Sequence, residues 1–213
     1  MNEQVWWFAA RASGIVAWAL VTFSVCWGLM LSTKAAAKAS QPAKLLDLHR
    51  FLGGLSVVFT AIHLLALVAD SYVYFGWVEI FVPWASEWKT TAVAWGIVAF
   101  YLLIAVELTS LLMKKLPRPV WRHIHRMSLG LFVFATYHGI QAGTDTQNVW
   151  YRMTMLASIN VVAFLVVLLI LTHRRTAIAD AKAKATADRK SSEGQPRIPA
   201  ELRERARIAE PSA

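Results

Sequence analysis

Residues 45–69, LLDLHRFLGGLSVVFTAIHLLALVA, decide the fold. A membrane-spanning helix needs roughly 20 mostly apolar residues, and this stretch supplies them while carrying His49 and His63. An ionisable or metal-ligating side chain at such depth is costly and marks a functional candidate. At about 100° per residue, the fourteen-residue spacing falls about 40° short of four turns. Both imidazoles therefore share one helix face, about 21 Å apart along the axis and toward opposite membrane surfaces.

A second pair follows in WRHIHR, residues 121–126, and the apolar run after it, where His125 precedes His138 by thirteen residues, about 19.5 Å of helix. Any one of these histidines reads equally well as a packed or hydrogen-bonded core residue. Four of them, placed high and low on two apolar helices, point to ligation instead. Imidazole is the usual axial ligand of b-type haem iron, and two haems stacked between two such helices form an electron path across a bilayer. The absence of a CxxCH motif predicts that they are noncovalently held. Thirteen residues, however, leave about 220° beyond three turns, which turns His125 and His138 toward nearly opposite faces of an ideal helix. His123 lies only about 60° from His138, so periodicity makes His123 a rival to His125.

Composition sets the class. The chain of 213 residues is 57% hydrophobic and 16% charged, with ten tryptophans, which identifies an integral membrane protein and leaves no room for a large soluble catalytic domain. The net charge of +9 reports topology rather than nucleic-acid binding, because the basic residues cluster beside apolar segments. Cys26, the single cysteine, sits in an apolar helix as a small packing residue. No glycine-rich phosphate loop, CxxC or nucleophile motif occurs.

Taken in order, Ser13–Leu31 is a first apolar helix, too long for a signal h-region and followed, not preceded, by Lys34, Lys38 and Lys44. Trp6 and Trp7 are placed as interfacial anchors, and Arg11 at the membrane edge either snorkels or reaches a haem propionate. In the histidine helix, Gly53 and Gly54 allow close approach of a helix or a porphyrin. Residues 70–89 form an aromatic interfacial connector with Tyr72, Tyr74, Trp77, Trp84 and Trp88. Thr90–Met113 is the third helix, with Glu107 as proton relay or snorkelling group. After KKLPRP come a fourth helix over 120–141 and a fifth over 149–171. The expected architecture is thus an all-α bundle of about five transmembrane helices in residues 1–172, with a short basic, flexible tail over 173–213 that forms at most transient or surface-bound helix.

Lys34, Lys38, Lys44, Lys114, Lys115, Arg118 and the tail belong in the cytoplasm, whereas the second and fourth connectors carry Asp70, Glu79, Glu87 and Asp145. Five spans of a multi-pass cell-membrane protein, with the amino terminus outside and the carboxy terminus cytoplasmic, satisfy this pattern. The second and fourth helices then run parallel, with His49 and His125 at the inner level and His63 and His138 at the outer. Arg50, Arg122 and Arg126 lie near the inner level, as propionate partners or positive-inside anchors.

Trp121, Ile124, His125 and Arg126, with the spaced pair His49 and His63, resemble the ferric reductase-like transmembrane family over about residues 5–172. That family includes the haem domains of NADPH oxidases and ferric reductases, and the membrane haem subunit of bacterial methionine sulfoxide reductase systems. Its pattern W-x-x-[LI]-H-R implies that His125 is the inner ligand and leaves His123 as an extra. The resemblance further implies an oxidoreductase haem subunit with two b-type haems, passing electrons from a cytoplasmic flavin or reduced nicotinamide to an external acceptor. Those oxidases and ferric reductases continue into a flavin- and nicotinamide-binding domain, for which this tail is too short. The expected donor is therefore a separate reductase or a quinol. Two other readings stay open: a quinol-linked cytochrome b subunit of a dehydrogenase or hydrogenase, and a non-redox membrane protein whose histidines pack or bind another metal.

Overall fold

The computed structural model describes residues 4–33, 42–71, 73 and 75–194. The expectations for Lys34, Lys38, Tyr72, Tyr74 and the tail beyond residue 194 lie outside the described residues. In chain order the helices are α1 (Gln4–Ser32), α2 (Pro42–Ala69), α3 (Trp77–Phe81), α4 (Thr90–Leu111), α5 (Arg118–Arg126), α6 (Ser128–Ala142) and α7 (Val149–Gly194). The protein is an all-α membrane protein, with no strand among the described residues. Four helices, α1, α2, α4 and α7, are long and apolar enough to cross a bilayer.

Helices suit this chain because every backbone polar group in hydrocarbon needs an internal partner. The hydroxyls inside the apolar helices obey the same rule. Thr22, Ser56 and Thr60 each donate to the carbonyl one turn back, at 2.8–2.9 Å, so a polar side chain sits in an apolar helix with its donor paired. Apolar residues are correspondingly turned outward, with Phe23, Phe51 and Phe164 more than 60% exposed. In water such a surface would be an aggregation hazard; in a bilayer it is the solvated face.

The expected fourth helix is divided. Met127 donates its N–H to the Ile124 carbonyl at 2.9 Å, three residues back, and this tightened turn separates α5 from α6. The two segments want different surroundings. α5, RPVWRHIHR, has no buried residue, and Pro119 in its first turn suits a helix start; α6, SLGLFVFATYHGIQA, is mostly apolar. The aromatic connector also contains the one-turn helix α3, whose Ile80 packs with Phe75, Val93 and Ile97, and whose Phe81 carbonyl accepts from Tyr101 Oη at 2.5 Å.

α1 packs along α2, α4 along α6, and α1 also meets α6. Val21, Val25, Ala99, Leu103, Leu131, Phe132, Val162 and Leu165 form the central apolar cluster, against which Cys26 packs. Two contacts tie the helices more specifically. The Trp18 indole donates to Thr136 Oγ1 at 3.0 Å, and Trp95 stacks on Phe134 with centroids 4.5 Å apart. The chain divides into two compact units, Met1–Leu169 and Ile170–Ala213. In the second, α7 continues to Gly194 where only transient helix was expected. Its Ala- and Lys-rich stretch over 177–190 has high helix propensity and contains neither glycine nor proline.

Candidate functional site

The four histidines on α2, α5 and α6 come together as two facing pairs. His49 and His125 stand with ring centroids 5.9 Å apart and planes at 82°. His63 and His138 stand 6.3 Å apart at 77°. Two imidazoles that bind one metal ion from opposite sides, with bonds near 2 Å, place their centroids about 6 Å apart. The turn at Met127 explains how His125 takes part: the 220° count assumes one continuous helix, and α5 and α6 are two. His123 is exposed and belongs to neither pair.

Each ring is held from behind through Nδ1 by a neighbouring helix. His63 Nδ1 donates to the Ala10 carbonyl of α1 at 2.6 Å, and His138 Nδ1 donates to the Ala92 carbonyl of α4 at 2.9 Å. A carbonyl accepts only, so both protons sit on Nδ1 and the neutral rings present the Nε2 lone pair. His49 Nδ1 lies 3.3 Å from Ser24 Oγ of α1, and His125 Nδ1 lies 3.3 Å from Ser110 Oγ of α4. This is the arrangement by which a ligating histidine has its tautomer and orientation set.

Glycines make room for the rings. A Cβ at Gly14 would lie 2.9 Å from His63 Nδ1, one at Gly28 3.2 Å from His49 Cε1, and one at Gly96 2.5 Å from His138 Nδ1. Gly14 facing His63 and Gly28 facing His49 also show that α1 and α2 run antiparallel. These supporting residues were not singled out from the sequence. A signal existed: Ala10 to Ser24, and Gly14 to Gly28, repeat the fourteen-residue spacing of His49 to His63.

The other expected site residues are dispersed. Arg50 pairs with Asp47 at 3.4 Å, both exposed, while Arg122 and Arg126 are exposed on α5. Arg11 binds Asp145 through two guanidinium nitrogens and lies 4.7 Å over the Trp7 ring. Both Arg11 and Asp145 line a cavity of about 250 Å³ that also contains His63 and His138. Glu107 of α4 turns its carboxylate onto the Gly53 backbone of α2, whereas Gly54 faces open space. Trp121 stacks on the His125 ring, centroids 5.1 Å apart and planes 23° apart.

The class these features define is a helical membrane bundle with two levels of paired, back-bonded histidines. The family described as "Ferric reductase like transmembrane component" matches residues 13–136, and the chain belongs to it. That match takes in His49, His63 and His125 and ends two residues before His138. No curated protein and no solved structure matches the chain. Membership makes the chain a membrane redox component of a family whose domains generally bind haem. The donor chemistry fits that group. Each level brings two imidazole rings together, donors of the kind that would hold a haem iron.

Proposed function

We propose that the chain is a di-haem b-type transmembrane electron-transfer protein, carrying electrons from a cytoplasmic or membrane donor to an external acceptor. The observation that carries this reading is the set of two facing imidazole pairs, each ring back-bonded through Nδ1. His49 and His125 would hold the inner haem, and His63 and His138 the outer. Bound b-type haem supplies one-electron chemistry that side chains lack. The chain's own residues do the rest. The Ala10 and Ala92 carbonyls keep the outer-level Nε2 atoms unprotonated, Gly14, Gly28 and Gly96 leave space for the rings, and the apolar bundle excludes water.

The donor is a reductase protein carrying flavin or nicotinamide, or a quinol, and the acceptor is an external protein. A pyridine haemochrome assay on protein purified from haem-replete cells should give two haem b per chain, extractable into acidic organic solvent. Protein of normal fold that contains no haem would overturn the reading.

With α5 and α6 together making a fifth crossing beside α1, α2, α4 and α7, the amino terminus is outside the cell membrane and the carboxy terminus cytoplasmic, because Lys114, Lys115 and Arg118 flank α4 and α5 on the side opposite Asp70, Glu79 and Glu87. A carboxy-terminal alkaline phosphatase fusion should therefore be inactive, and a fusion to a cytoplasmic fluorescent reporter bright. Strong phosphatase activity would invert the orientation and exchange the inner and outer levels.

A further inference from the structure

Trp121 lies one turn before His125 on α5, and its indole is laid nearly parallel on the His125 imidazole. The indole Nε1 is buried and has no hydrogen-bond partner. An indole nitrogen donates and never accepts, and a buried donor left unpaired forfeits the free energy of its bond. The fold satisfies comparable groups elsewhere: Trp18 donates to Thr136 Oγ1 at 3.0 Å and Trp27 to the Leu45 carbonyl at 2.9 Å. Trp121 therefore lacks an acceptor at the spot where the His49–His125 pair would hold its cofactor.

We infer that the Trp121 indole N–H donates to a propionate carboxylate of the inner haem, making Trp121 a positioning residue for that group. The inference rests on the di-haem reading. Haem b presents an apolar periphery apart from its two carboxylates, so a buried donor beside it has one kind of acceptor to meet. An ionised acceptor also makes the stronger bond. Arg122 and Arg126, exposed on the same short helix, favour negative charge at this end of the bundle. The stack on His125 fixes the indole plane, so the donor and the ligand are set by one turn of helix.

The test is Trp121→Phe in the full chain, which retains a ring against His125 and removes the N–H. Release of one haem to excess apomyoglobin should quicken about tenfold, with the other phase unchanged. The same haem's midpoint potential should fall, because a carboxylate that has lost its donor keeps more negative charge and favours the oxidised iron. Its propionate bending band in the low-frequency resonance Raman spectrum should shift as well. Two haems with wild-type release, potential and Raman band would overturn the inference and show that water satisfies the indole, leaving the di-haem reading intact. Wild-type protein without haem would overturn that reading itself.

Discussion

On the proposed di-haem reading, replacing His125 with alanine is expected to cost one haem, or to leave it five-coordinate, while His123→Ala retains both. The helical angle count favoured His123, and the family pattern favoured His125. Geometry now supports the second: the His125 ring stands 5.9 Å from His49 with its Nδ1 beside Ser110, whereas His123 is exposed. An axial ligand provides one of only two protein bonds to the iron, so its loss is not shared out among neighbours. The separate pair His63 and His138 should be unaffected by the change. His123→Ala should shift the inner haem's potential more than its occupancy, as loss of a nearby polar group does. Haem stoichiometry and low-temperature spin-state spectra of the two variants decide the matter. Loss of a haem from His123→Ala, with both retained in His125→Ala, would restore the angle argument.

Gly96→Ala is expected to empty the outer level with nearly the effect of His138→Ala. The added methyl would sit 2.5 Å from Nδ1 and 2.8 Å from Cε1 of His138, a contact no real Cβ makes, so ring or helix has to move. Overpacking of this kind costs about 1–3 kcal/mol. The ring cannot retreat without giving up the Nδ1 bond to Ala92, which is what orients Nε2. Gly54→Ala provides the control, since nothing lies within 4 Å of its added Cβ. Haem content should be about one per chain in Gly96→Ala and unchanged in Gly54→Ala. Equal haem content in the two would mean that His138 does not depend on its seat against α4.

Much of the fold was legible because its determinants are local. An apolar run of bilayer length declares a spanning helix whatever its neighbours do: α2, α4 and α7 begin within a few residues of apolar stretches visible in the chain, and α1 takes in the stretch from Ser13 to Leu31 but begins earlier, at Gln4. The candidate histidines were legible for a related reason, since an imidazole in such a run needs a purpose. Arg11 was less so. It stood out as an interfacial cation, but its bidentate partner Asp145 is distant in sequence and is brought near only by the packed bundle.

By itself, then, the amino-acid order determined an all-α membrane protein with two histidines on one face of α2 and a second set near residues 123–138. Those properties follow from hydropathy and from the 3.6-residue period, which act within a single segment. Tertiary structure alone decided which second-set histidine faces His49, because one tightened turn at Met127 resets the direction of the chain and no angle count carries across it. It also decided the partners behind the rings. Ala10, Ser24, Ala92 and Ser110 are ordinary residues until α1 lies antiparallel to α2 and α4 beside α6, for a hydrogen bond or a glycine's missing methyl acquires meaning only from the helix packed against it.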